Sequence, residues 1–147
     1  MVRLIFWLSF FVLFYTYIGY PLILWVLSKF FSKPVKKGAI FPKVSFVVVA
    51  YNEEKHIKDK LDNIFSLDYP KENLEVIIGS DGSTDKTNKI LKEFNPQGKE
   101  YKVIISCDRI GKVNMLNRIF PHINGEIVVF SDARQIFEKD ALKKACS

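Results

Sequence analysis

Residues 4–28 contain no charged side chain, and this run divides the chain into two parts with different physical rules. As a helix rising ~1.5 Å per residue, its 25 positions reach about 37 Å, longer than a bilayer core of about 30 Å. Trp7 and Trp25 stand near its two ends, where indoles favour the membrane interface. A cleaved signal peptide has a shorter apolar region, about 7–15 residues, and ends at small residues. Here the run leads instead into Lys29, Phe30, Phe31, Ser32 and Lys33. A transmembrane anchor over residues 1–31 is therefore the expectation, with a signal peptide as the alternative. Pro21 is expected to kink the helix, and Gly19 to leave room for a packed neighbour.

Charge around the run sets its orientation. Arg3 and the amino terminus precede it, and Lys29, Lys33, Lys36 and Lys37 follow it. The positive-inside tendency then predicts a single pass with everything after Ser28 cytoplasmic. The same lysines are within reach of anionic membrane lipid, each contributing about 1 kcal/mol near the surface. Residues 32–43, with Pro34, Gly38 and Pro42, read as a basic juxtamembrane linker.

These leader residues supply 5 of the 22 basic side chains in a chain of net charge +6. Residues 38–147 carry 17 basic against 16 acidic residues, so the folded part lacks the basic excess of a nucleic-acid-binding domain. At 147 residues the chain has room for one domain beside the anchor. Cys107 and Cys146 lie far apart and form no C-x-x-C pair, which argues against a zinc site or structural disulfide and fits a reducing compartment.

After the linker the pattern changes to short β-branched runs at 44–50, 74–80, 101–107 and 126–131. Their centres are continuously apolar rather than alternating, as in parallel strands covered on both faces. Between them, Ile57, Leu61, Ile64 and Phe65 recur on one helical face; Thr87, Ile90, Leu91 and Phe94 repeat the pattern, as do Val113, Leu116 and Phe120. A fourth helix is expected to begin near Lys139. All these apolar residues are read as core. The order βαβαβαβα predicts an α/β fold with a doubly wound, mainly parallel sheet. Such sheets bind ligands beyond the carboxyl ends of their strands, where the strand order reverses.

Polar residues gather at those ends: Tyr51, Asn52, Glu53 and Glu54 after the first strand, Asp81 to Asp85 after the second, and Asp132, Ala133 and Arg134 after the fourth. The first turn has no glycine, so it lacks the G-x-G-x-x-G of dinucleotide sites, and Gly111-Lys112 is not part of a P-loop. Helix capping is the simplest alternative for Asn52 to Glu54 and for Ser83 or Thr84. Asp81 is less easily explained that way, because it comes directly off a buried strand before any cap.

Taken together, Ala50-Tyr51-Asn52-Glu53-Glu54, Asp81-Gly82-Ser83-Thr84-Asp85, Gly111-Lys112 with Leu116-Asn117, and Gly125-Glu126 leading into Ser131-Asp132-Ala133 resemble the amino-terminal half of family 2 glycosyltransferases. The Tyr20-Pro21 segment is similar to the anchor of membrane-bound members. The resemblance implies a partial, Rossmann-like GT-A fold over residues 44–147 that binds a nucleotide-diphosphate sugar. By matching position, Tyr51 and Glu53 would line the nucleoside pocket. Asp81 would accept a hydrogen bond from the base, favouring a UDP-type donor. Lys112 would meet the diphosphate or stabilise the nucleotide loop, and Asp132, the first carboxylate of the family's D-x-D, would approach the ribose and a Mg²⁺ or Mn²⁺ ion. Glu53, Asp81 and Asp132 would then surround one cavity.

The sequence also departs from the family pattern. Arg134 replaces the second aspartate of D-x-D, weakening the metal site and offering a phosphate contact instead. Ser80 stands where many members have another aspartate. After Ser131 no residue matches the family's later carboxylate base or its Gln-x-x-Arg-Trp motif, so no catalytic residue is assigned and the acceptor is unknown. The expected activity is sugar transfer from a nucleotide sugar, with this chain read as a fragment holding the donor-binding half. A non-catalytic, membrane-tethered nucleotide-binding or interaction module is the alternative.

Overall fold

The computed structural model describes residues 1–31, 41–96 and 98–146. Most of the expected linker, residues 32–40, lies outside the described residues. The rest falls into two units, an amino-terminal helix and an α/β unit.

In the first unit, α1 (Val2–Phe14), a π-helical stretch (Tyr15–Gly19) and α2 (Tyr20–Phe31) run on as a single helix of 30 residues. It is long and apolar enough to cross a membrane by length and composition. Pro21 has no N–H for the carbonyl four residues back, and its ring crowds that carbonyl. The helix accommodates this just upstream by widening one turn, so that Tyr20 N donates to Tyr15 O, five residues back. The space at Gly19, expected to receive a neighbouring helix, is taken by the helix's own Tyr15 ring, 3.0 Å from where a Cβ would stand. At the carboxyl end, Lys29 Nζ sits 4.1 Å from the Trp25 ring centre, a cation–π contact.

The second unit is built on four parallel strands, β1 (Val44–Ala50), β2 (Leu74–Asp81), β3 (Glu100–Ser106) and β4 (Ile127–Asp132), in the order β3-β2-β1-β4. Its helices are α3 (Ile57–Phe65), α4 (Thr87–Glu93), α5 (Lys112–Ile119) and α6 (Ala141–Cys146). Side chains alternate across the pleat. Val44, Phe46, Val48 and Ala50 of β1 pack with Ile57, Leu61 and Ile64 of α3, Leu91 of α4 and Leu142 of α6. Val47 and Ile77 pack on the opposite face with Met115 and Ile119 of α5. Helices on both faces make the sheet doubly wound, as expected.

Two details correct the expected core. On α5 the buried residues are Met115 and Ile119, whereas Val113 and Phe120 are 72% and 53% exposed. The seat for that helix is Gly79 in β2, where a Cβ would lie 2.7 Å from Ile119 Cδ1 and 2.9 Å from Met115 Cε. Strand β4, expected to be buried on both faces, leaves Phe130 52% exposed, because it is the outer strand of the described sheet and pairs only with β1.

At the amino ends of the strands, remote from the site discussed below, fully buried Glu75 ties the sheet together. Its carboxylate accepts from Ser45 Oγ at 2.5 Å, Lys102 Nζ at 2.9 Å, and Asn124 N and Nδ2 at 3.0 and 2.8 Å. Burial pushes this carboxyl up, but the hydrogen bonds from Lys102, Ser45 and Asn124 outweigh it and hold the group down at about 2.

Candidate functional site

Strands β2 and β3 lie on one side of β1 and β4 on the other, so the order reverses between β1 and β4. Crossovers leave in opposite directions there, and the loops separate to leave a crevice.

The loop after β1 is fastened to the loop after β2. Asn52, with φ +53°, a conformation asparagine tolerates better than most residues, receives Thr84 N on Oδ1 at 2.8 Å and donates its own N–H to Ser83 Oγ at 3.1 Å. Glu53 N donates to Thr87 Oγ1 at 2.9 Å, Glu54 N to Asp85 Oδ2 at 3.0 Å, and Lys86 N to Glu54 Oε2 at 3.0 Å. The capping alternative thus fails for Asn52 and Glu54. Helix α3 starts after His56 with no side-chain cap, and these polar groups join two loops instead.

Asp81, at the end of β2 and only 4% exposed, receives Ile110 N on Oδ1 at 2.7 Å and Gly111 N on Oδ2 at 2.9 Å. Gly82, with φ +68°, lets the 108–109 backbone approach closely, since a Cβ there would stand 2.5 Å from Arg109 N. Asp81 and Gly82 therefore fix the loop that starts α5 at Lys112. From that helix Lys112 Nζ reaches Asp132 Oδ1 at 2.7 Å. Lys112, with a smaller contribution from Lys60, holds the Asp132 carboxyl below its usual range. Across the crevice Arg134 Nε donates to Glu53 Oε1 and Oε2 at 3.0 and 3.1 Å.

Between these ion pairs lies a hollow of about 420 Å³ lined by Val49, Tyr51, Glu53, Asp132, Ala133, Arg134 and Gln135. It gathers four of the six residues singled out in the sequence, Tyr51, Glu53, Asp132 and Arg134, and Lys112 joins them through Asp132. Asp81 does not line it. The single cavity expected around Glu53, Asp81 and Asp132 is thus corrected to one around Glu53 and Asp132, with Asp81 behind the 108–111 loop. Two further residues belong to the site. Gln135 Oε1 accepts Asp132 N at 3.3 Å, and the Arg109 guanidinium lies 4.1 Å from the Tyr51 ring centre. No sequence signal marked Arg109. Gln135 was visible only as a neighbour of Asp132.

The donor set does not suit a divalent cation. Both carboxylates lining the hollow are engaged by cations, Glu53 by Arg134 and Asp132 by Lys112. Among the described residues no group of three or more His, Cys, Asp or Glu side chains could hold a metal, whereas hard cations call for several oxygen ligands.

Comparison with known proteins agrees with this architecture. The family model described as glycosyl transferase family 2 matches residues 45–146. The probable glycosyltransferase YdaM of Bacillus subtilis is 36% identical over 104 residues, which cover 69% of this chain and 25% of that protein. The poly-beta-1,6-N-acetyl-D-glucosamine synthase of Staphylococcus epidermidis is 35% identical over 98 residues, 67% of this chain and 23% of that one. The chain thus spans about a quarter of the length of these relatives. Among solved structures, the mannosyltransferase PcManGT of Pyrobaculum calidifontis, in complex with GDP-Man and Mn²⁺, superposes with a TM-score of 0.70 at 32% identity, covering 92% of this chain and 41% of that one. TarS of S. aureus, residues 1–349 with UDP-GlcNAc, gives 0.63 at 32% identity, covering 70% and 30%. On the match over residues 45–146 and a parallel sheet of the GT-A kind, the chain belongs to glycosyl transferase family 2.

Proposed function

We propose that the hollow between the ends of β1 and β4 binds the nucleotide-diphosphate part of a sugar donor, and that the chain serves a membrane-anchored glycosyltransferase. The observation that carries this reading is the pair of cations at the reversal point, each parked on an acid that lines the hollow. The Lys112–Asp132 pair is 59% and 60% exposed, and Arg134 is 70% exposed. Exposed ion pairs are weak, because water screens them. A diphosphate offers stronger charge-assisted hydrogen bonds, so Lys112 can exchange its carboxylate for it at little cost, whereas Arg134 would add a phosphate bond while staying beside Glu53, whose side chain is 15% exposed. As a glycosidic bond breaks, negative charge builds on the diphosphate, and cations already in place stabilise it.

Tyr51 and Glu53 would then line the nucleoside side of the hollow, and Asp132, once released by Lys112, would face the ribose. Asp81, 4% exposed and bonded to the 110–111 backbone, would act on the donor only by fixing the loop that starts α5 at Lys112, so a UDP-type donor is favoured by the sequence resemblance alone. The relatives' names supply the class, since solved neighbours bind GDP-Man and UDP-GlcNAc. Calorimetric titration of the full chain with UDP-GlcNAc and GDP-Man, with and without Mn²⁺, tests the reading. A saturable heat with either donor is expected, and no heat at millimolar donor would refute it. Turnover or donor hydrolysis by this chain would dismiss the non-catalytic alternative.

The amino-terminal helix would anchor this unit to the membrane, with the basic residues after it on the cytoplasmic side near anionic lipid. What supports the orientation is the excess of lysines after the uncharged run 4–28 over the one arginine before it. Exposed, unpaired Cys107 reports on it directly. A membrane-impermeant maleimide is expected to label Cys107 in inside-out vesicles and to spare it in right-side-out ones. The reverse pattern would invert the topology.

A further inference from the structure

We infer that Lys60 is a positioning residue for the 131–135 turn and holds Asp132 and Arg134 in the pose that faces the hollow. The inference rests on the nucleotide-sugar reading of that hollow. Lys60 projects from α3 beneath the end of β4 and is fully buried. Its ammonium donates to Ser131 Oγ at 2.7 Å and to Gln135 O at 2.6 Å. These acceptors bracket the turn, one residue before Asp132 and one after Arg134. Ser131 Oγ lies 3.2 Å from Gln135 Oε1, the oxygen that receives Asp132 N. One buried charge thus sits at the hub of the hydrogen bonds that shape the turn.

Packing alone does not explain a lysine here. Its nitrogen lies beside the touching Phe46 and Phe137 rings, 5.2 and 4.5 Å from their centres, a setting in which a methionine would pack without a desolvation cost. Burial lowers the ammonium to about 8 against the opposing pull of the Asp132 charge, so it remains charged at neutral pH. One helical turn along α3, Asn63 clamps the far end of the same segment, donating from Nδ2 to Phe137 O at 2.9 Å and accepting Phe137 N at 2.9 Å. Lys60 and Asn63 together make a rigid shelf for the stretch that carries Asp132 and Arg134, the support a preorganised site needs.

The test uses the full chain in lipid nanodiscs with Lys60→Met, which keeps the length of the side chain and removes the charge. Cooperative unfolding is expected to survive. Amide shifts of residues 131–137 should move while those of 107–111 stay, and the Kd for UDP-GlcNAc or GDP-Man should rise about tenfold. Ser131→Ala keeps the lysine but cuts its link to Gln135 Oε1; it decides the matter if Lys60→Met does not fold, with an expected rise of about threefold. Unmoved 131–137 shifts, or a Kd within twofold of the parent's in the variant that folds, would overturn the inference. A parent chain that binds neither donor refutes the reading of the hollow, and the shift comparison then decides on Lys60 alone.

Discussion

Glu75→Ala is expected to lower the unfolding free energy of the α/β unit by about 3 kcal/mol, read as a fall in denaturant midpoint at unchanged slope. The carboxylate joins β1 through Ser45, β3 through Lys102 and the turn before β4 through Asn124. Its removal leaves the buried Ser45 hydroxyl without an acceptor and unties the turn at Asn124, while exposed Asn124 and Lys102, the latter 39% exposed, turn to water. The same group predicts acid sensitivity. Its folded value of about 2 lies below the ~4.3 of an unfolded glutamate. The carboxylate therefore contributes stability that is fully present above about pH 4.3 and is lost as pH falls through about 2. An acid titration of the parent should show this loss, and the variant should lack that part of the slope. A variant as stable as the parent at pH 7 would show that the network is not holding the sheet.

Removing both cations at the reversal point should have the largest effect on binding. Lys112→Ala and Arg134→Ala are each expected to weaken donor binding about tenfold or more, and the double variant further still, because each removes a charge-assisted bond to phosphate. Thermal stability should barely change for Lys112→Ala, whose ion pair is exposed on both sides, and should fall modestly for Arg134→Ala, which leaves Glu53, 15% exposed, without its partner. The loss should shrink for the free nucleoside, which carries no phosphate. Equal losses for nucleoside and nucleotide sugar would place these side chains away from the diphosphate.

The sheet was legible because its central strands are buried on both faces and so read as unbroken apolar runs, which left little choice but a parallel α/β fold. Outer strand β4 carries the same kind of run, and there the pattern overstated burial: Phe130 is half exposed. Helix α5 was misread because Val113, Leu116 and Phe120 imitate an apolar face, whereas Gly79, the residue that seats Met115 and Ile119, belongs to another element. At the site, polar residues at strand ends could be placed from topology alone. Their partners could not. Asp81 turns inward to the 110–111 backbone, and Lys60 reaches Ser131 across 71 residues, contacts with no short-range spacing to reveal them.

The central claim is a location, and chemical-shift mapping tests it most directly. Adding UDP-GlcNAc or GDP-Man to the labelled chain should shift the amides of Tyr51, Glu53, Lys112 and Asp132 to Gln135 along saturable curves with one shared Kd. The account is contradicted if saturating shifts fall outside this set, or if millimolar donor leaves these amides where they were.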